Sequence, residues 1–248
     1  MGRPLKKLLK IIATSLAGLL AVASLAIFLL FYAPEQTPKP GTIRIACVGD
    51  SITFGLLAVP RAFNTYPVQL QKMLGDKYSV RNFGVNAHAA QKASDRPYWQ
   101  HADFQKSSDF APNIVVLMLG TNDARTGNWK SLDQFLQDYS ELVAHYQSLP
   151  SKPIIYVMSP PAVFAVHGNA TPNFGIPVAV IDEISAGVKK FAEEKNIGFI
   201  DIHAVTAPRA DYFTFDGIHP NVEGTRLMAE TVYAALIANS PAPIAETQ

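Results

Sequence analysis

Ser51 closes the triplet Gly49-Asp50-Ser51, which follows the short apolar run Ile43 to Val48 and leads into Ile52-Thr53-Phe54-Gly55. A serine just past the end of a buried strand is well placed for nucleophilic work, because open α/β sheets bind ligands in the crevice outside their strands' carboxyl ends. A serine hydroxyl needs a general base, usually histidine, and that histidine needs an acid or carbonyl to fix its tautomer. Of the chain's six histidines, His219 stands out for its surroundings, Asp216-Gly217-Ile218-His219-Pro220-Asn221. Asp216 lies three residues earlier, so one turn of chain can bring its carboxylate to Nδ1 of His219 while Nε2 faces outward. Gly217 permits a tight turn, and Pro220 fixes the exit ahead of the next helix. Each segment alone is also an ordinary turn composition.

Acyl transfer further requires donors aimed at the developing oxyanion. Asn82-Phe83-Gly84-Val85-Asn86 ends the second candidate strand, and Gly84, lacking a side chain, could offer its N–H closely to a substrate. Gly120-Thr121-Asn122-Asp123 ends a third, with the Asn122 amide as another donor. The N–H of Ser51 completes a set of three. Asp123 reads as a turn or cap residue. His203 follows Asp201 at a strand end and could mimic a base, but it lacks the Asp-x-x-His context. His88, His101, His145 and His167 read as surface or satisfied histidines. No two histidines are spaced as metal ligands with a carboxylate or cysteine, so no metal is expected. No Gly-x-Gly-x-x-Gly or Walker loop is present, and no cofactor is expected.

Alternating strand-like and helix-like patterns must position these residues. Strands are expected at Ile43 to Val48, Tyr78 to Phe83, Asn113 to Leu119, Pro153 to Met158 and Gly198 to Ile202. The third is continuously apolar, as a central strand buried on both faces requires. Helices are expected at Tyr66 to Leu74, Leu132 to Leu149, Pro177 to Asn196 and Asn221 to Asn239, the second from its helical apolar spacing. Such alternation predicts a doubly wound α/β/α sandwich around a five-stranded parallel sheet. Ser159 to Ile176 is a long loop rich in Pro, Gly and Asn, read either as a pocket wall or lid or as a surface excursion.

The chain has 248 residues, of which Ile11 to Tyr32 form a 22-residue stretch without charge. At about 1.5 Å per residue it spans a hydrocarbon core of roughly 30 Å. Arg3, Lys6, Lys7 and Lys10 precede it, and no acidic residue occurs before Glu35. The positive-inside rule then leaves the N-terminus cytoplasmic and sends the rest across the membrane, periplasmic or extracellular. The expected organisation is a signal anchor over 1–33, a Pro-rich linker over 34–41, one catalytic domain over 42–240 and a disordered tail over 241–248. Ala21-Val22-Ala23 leaves open a cleaved signal peptide and a secreted product, although seven apolar residues follow it from Leu25. Without the four basic residues of the leader, 17 basic side chains face 20 acidic ones, a net charge near −3. Nothing clustered and basic remains to suggest nucleic acid. Cys47, the only cysteine, reads as a small buried hydrophobe.

On these residues the chain resembles the SGNH hydrolases, the GDSL esterase/lipase superfamily, over nearly everything from Ile43 to Ala238. Four blocks occur in the family's order: Gly49-Asp50-Ser51, Gly84, Gly120-Thr121-Asn122-Asp123, and Asp216-Gly217-Ile218-His219-Pro220. Ile52 stands where many members have leucine. The resemblance implies a flavodoxin-like fold, Ser51 as nucleophile, His219 as base and Asp216 as its orienting acid. It also implies an oxyanion hole of the Ser51 N–H, the Gly84 N–H and the Asn122 side chain. The Asp-Gly-Ile-His-Pro ending is similar to that of carbohydrate acetylesterases acting on sialate and xylan. The implied activity is carboxylic ester hydrolysis through an acyl-enzyme, with short acyl groups such as O-acetyl on carbohydrate favoured. Lysophospholipase or thioesterase action, a membrane-anchored O-acyltransferase using the same triad, and a non-catalytic envelope-binding module are the alternatives.

Overall fold

A computed structural model of the chain describes residues 3–34, 37–166 and 173–238. The expected tail over 241–248, residues 239 and 240, two linker residues and His167 lie outside the described residues.

Helix α1, Arg3–Phe31, is followed by β1, Ile43–Gly49, and by the short helices α2, Ser51–Phe54, and α3, Arg61–Asn64. Helix α4, Tyr66–Leu74, leads to β2, Tyr78–Gly84, α5, Ala102–Asp109, and β3, Ile114–Met118. Then come α6, Leu132–Ser148, β4, Ile154–Met158, α7, Val178–Lys195, β5, Gly198–Ile200, α8, Ile202–Thr206, and α9, Val222–Ala238. The strands form one sheet in the order β2-β1-β3-β4-β5, parallel throughout. This is the expected doubly wound, flavodoxin-like arrangement.

Side chains alternate along each strand, so one strand feeds two cores. Ile45 and Cys47 of β1, with Val116 and Met118 of β3, pack beneath α4 and α9. Ala46 and Val48, with Val115 and Leu117, pack beneath α6 and α7. Full burial on both faces explains why β3 is an unbroken apolar run. Each fully buried side chain of this size contributes about 1.5–3 kcal/mol. Cys47 belongs to this interior, and burial pushes its thiol up to about 12, which leaves it protonated and inert.

Two expectations are corrected locally. Strand β5 ends at Ile200, short of Ile202, because the Asp201 side chain accepts from the Ala204 N–H and starts α8. Helix α5 was not expected, since its residues are largely polar. It forms because Phe104 packs against Trp99 and Tyr98, with ring centroids 5.3 and 6.3 Å away, and because His101 caps its first turn.

Helix α1 lies outside both cores. Ile12–Phe31 is long and apolar enough to cross a membrane, and none of it is buried against the rest of the chain. Its last turn is tied to the domain by Arg61, whose Nη1 donates to Phe31 O at 2.6 Å. The same guanidinium donates from Nε and Nη2 to Phe54 O at the end of α2.

Candidate active site

The chain runs from β1 outward to β2 and then returns to the other side of β1 as β3. The sheet therefore has its switch point between β1 and β3, where a crevice opens at the carboxyl ends. Gly49 pairs with both Gly84 of β2 and Met118 of β3, so the loops that follow all three strands leave the sheet at one level.

Ser51 begins α2 immediately after β1. Asp50 caps that helix, with Oδ1 accepting the Ile52 N–H at 2.9 Å. Burial pushes the Asp50 carboxyl up to about 6, against the lowering effect of that hydrogen bond. The cap fixes where Ser51 points, and its Oγ lies 2.8 Å from Nε2 of His219. On the other side of the ring, Nδ1 lies 2.6 Å from Oδ2 of Asp216. Oδ1 of Asp216 is occupied by three donors at 2.9 Å each, the Thr214 hydroxyl and the N–H groups of Ile218 and His219. Burial acts to raise the Asp216 pKa, but hydrogen bonds from the His219 ring, His219 N–H and Ile218 N–H outweigh it. The carboxyl is held well below the usual carboxylate range. Gly217 makes this turn feasible, since its φ is +70° and a Cβ there would meet Phe164 O at 2.2 Å.

Asn122 joins this group from the loop after β3. Its Nδ2 donates to His88 O at 3.1 Å and makes a longer contact, 3.4 Å, with Asp50 Oδ2. Ser51, Asn122 and His219 border one cleft of about 260 Å³, walled also by Leu56, Phe174 and Ile218.

Gly84 departs from its expected place. Its N–H donates to Oδ1 of Asn82 at 2.9 Å, and the residue does not border the cleft. A Cβ at Gly84 would fall 2.1 Å from the backbone N of Phe54. The glycine thus lets β2 lie against the helix that carries Ser51. Ala87, three residues on, does border the cleft and holds a φ of +64°.

Asp123, together with Asn128 and Asp95, which the sequence did not single out, braces this loop. Asp123 is fully buried and accepts the N–H groups of Ala90 and Gln91 at 3.0 and 2.7 Å. It lies in a turn, where Gly120 O accepts the Ala124 N–H at 3.0 Å, but its carboxylate braces a distant segment and caps no helix, and burial lifts that carboxyl to about 6. Asn128 exchanges hydrogen bonds with Asp95 at 2.9 and 3.0 Å and also donates to Asn122 O at 2.9 Å. The contacts from Asp123 and Asn128 to the segment holding Ala90, Gln91 and Asp95 join distant parts of the chain, and no local motif announces them.

None of the other described histidines borders the cleft, and His88 meets the site only through its carbonyl oxygen. His145 bonds the Ser108 hydroxyl at 2.8 Å, and His203 pairs with Asp182 at 3.0 Å. His88 and His101 meet edge to face, 4.9 Å apart. Among the described residues no group of three His, Cys, Asp or Glu side chains is placed to hold a metal ion.

Comparison with known proteins decides the family. Residues 47–227 match the model of the GDSL-like Lipase/Acylhydrolase family. The chain belongs to that family. Among curated proteins this GDSL-family chain is similar to an acetylxylan esterase of Xylanibacter ruminicola, 35% identical over 217 residues, 80% of this chain and 44% of the relative. A multidomain esterase of Ruminococcus flavefaciens is 26% identical over 93% of this chain and 32% of its own length. The chain therefore spans less than half the length of either relative. A solved carbohydrate acetylesterase family member from Sinorhizobium meliloti superposes with a TM-score of 0.62 at 21% identity, covering 79% of this chain and 97% of that one. This last likeness concerns the fold.

Proposed function

We propose that this GDSL-family protein is a serine esterase that removes short acyl groups, acetyl foremost, from carbohydrate. The observation that carries the reading is the relay Ser51 Oγ to His219 Nε2 at 2.8 Å and His219 Nδ1 to Asp216 Oδ2 at 2.6 Å, opening on a cleft. Asp216, ionised and tied down by three further donors, keeps the Nδ1 proton in place and leaves Nε2 free to accept. His219 takes the Ser51 proton as Oγ attacks the ester carbonyl. The imidazolium is stabilised by Asp216 and then protonates the departing alcohol oxygen. Water, deprotonated in turn by His219, attacks the acyl-enzyme and releases the acid and Ser51.

Charge on the carbonyl oxygen is met by the N–H of Ser51 and the side-chain amide of Asn122. One Asn122 proton is spent on His88 O. The other, in its long contact with Asp50, turns to the oxyanion. The Ala87 N–H takes the third place in the hole, where Gly84 was expected. Each donor of this kind contributes about 10²–10³-fold in rate.

The cleft of about 260 Å³ favours a small acyl group over a fatty chain, and the 35% identical acetylxylan esterase supports a sugar as the alcohol. Helix α1 serves as the membrane anchor, with the catalytic domain on the non-cytoplasmic side. The test is a series of p-nitrophenyl esters from acetyl to palmitoyl, together with acetylated xylo-oligosaccharides, given to the full chain in detergent. The acetyl ester should turn over fastest and free acetate should accumulate from the oligosaccharides. Fastest turnover of the palmitoyl ester, or transfer of acetyl to an added sugar without acetate release, would overturn the reading.

A further inference from the structure

Arg96 stands at the mouth of the same cleft as Ser51 and His219, exposed. Its charge reaches its neighbours, adding to burial in lowering the His88 pKa and to the Asn128 hydrogen bond in lowering that of Asp95. Yet Asp95 is committed elsewhere. Its Oδ1 accepts from Asn128 at 2.9 Å and its Oδ2 from Arg125 at 2.9 Å. Among the described residues Arg96 forms no ion pair, and the undescribed stretch 167–172 contains no acidic residue. Arg125 borders the cleft too. Two guanidiniums thus face the opening with a single carboxylate between them.

The backbone under Arg96 is unusually well fixed for a surface loop. Arg96 O accepts the Ala89 N–H at 3.0 Å, and Ala89 O accepts the Tyr98 N–H at 2.8 Å. The Asp123 and Asn128 contacts hold the two ends of the same segment. A fixed backbone beneath a cation in the same cleft as the nucleophile removes the loop-ordering part of the cost of binding and leaves only the guanidinium's own rotamers to be fixed. Across the opening, Phe174 is 66% exposed with its ring centroid 6.5 Å from that of His219. This gives an apolar face against which a sugar ring can lie.

We propose that Arg96 is a specificity residue that reads an anionic group on the sugar, so that the preferred substrate is an O-acetylated acidic sugar, a uronate carboxylate above all. The inference rests on the esterase reading. The guanidinium fork matches a carboxylate bidentately, which a lysine at this position would not reproduce. The ester chemistry is unchanged: the anion on Arg96 holds the alcohol part while Ser51 takes the acyl group.

The experiment compares mono-O-acetylated methyl glucuronate with the matching methyl glucoside and glucoside 6-sulfate, using the full chain in detergent. The glucuronate should exceed the glucoside in kcat/KM by about tenfold, mostly through KM. In Arg96→Gln the ratio should fall to near one, and in Arg96→Lys to an intermediate value. The ratio should also shrink as ionic strength rises from about 0.01 to about 0.15 M, over which the screening length drops from about 30 to about 8 Å. Equal rates on the two sugars, an unchanged ratio in Arg96→Gln, or preference for the sulfate alone would overturn the inference and leave the esterase reading intact. Inertness of the wild type on every ester, p-nitrophenyl acetate included, would remove both.

Discussion

Replacing Asp216 with asparagine separates the orienting role of the carboxylate from its charge. In the wild type, Oδ1 holds three donors at 2.9 Å and Oδ2 faces His219 Nδ1 at 2.6 Å. The asparagine carbonyl can keep the three donors, so the turn survives. Its amide group then faces Nδ1, which must accept a hydrogen bond. The ring proton moves to Nε2, the atom 2.8 Å from Ser51 Oγ, and His219 can no longer take the serine proton. Loss of a general base is worth about 10²–10⁴-fold, so kcat/KM should fall roughly 1,000-fold, or about 4 kcal/mol. The pH dependence of stability gives an independent readout. The folded pKa of Asp216 is held below the unfolded value of about 3.9. Its ionised form therefore stabilises the fold above that value, and the contribution is lost as pH falls through the folded pKa. Asp216→Asn should be less stable than wild type in urea at neutral pH, with the gap closing below about pH 4. An Asp216→Asn enzyme within tenfold of wild-type activity, or a stability gap that widens in acid, would refute the assignment.

Gly84→Ala tests the packing role of that glycine. With backbone 2.1 Å from the new Cβ, it should lose about 2–4 kcal/mol of stability in chemical denaturation, while activity per folded molecule falls far less than in an oxyanion variant. Asn122→Ala should lower kcat about 10²–10³-fold with a smaller change in KM, measured on p-nitrophenyl acetate. Asp123 has a folded pKa near 6 against an ordinary 3.8, so in this window the fold holds a proton that the unfolded chain has released. Its contribution to stability falls as pH rises through that window, by about 3 kcal/mol at most. Asp123→Asn should flatten that part of the urea-stability profile; a steeper fall in the variant would contradict a buried Asp123 carboxyl that holds its proton in this window.

The sheet was legible because a parallel strand buried on both faces must be apolar throughout, as Ile114 to Met118 is. The long amphipathic helices were legible from their spacing. The short or polar ones were not: α5 has no apolar stripe, and it exists because Phe104 finds an aromatic cluster contributed by Tyr98, Trp99 and Tyr146. Ser51, Asp216 and His219 stood out because the relations that matter are short-range, a cap at Asp50 and a one-turn reach from Asp216 to His219. Gly84 misled because a glycine after a strand says nothing about where its N–H points; here Asn82, two residues away, claims it. Ala87 gave no signal, since alanine is not expected at positive φ. The brace formed by Asp123, Asn128 and Asp95 joins residues too far apart in sequence to be paired by pattern.

Every step of the proposed reaction starts from Ser51 as the nucleophile. The most direct measurement is labelling of the full chain with a p-nitrophenyl alkylphosphonate, followed by intact mass and peptide mapping, alongside acetate release. One adduct is expected, carried by Ser51, with acetate release lost in step with labelling and both absent in Ser51→Ala. An adduct on another residue, or a Ser51→Ala protein that still releases acetate at the wild-type rate, would contradict it.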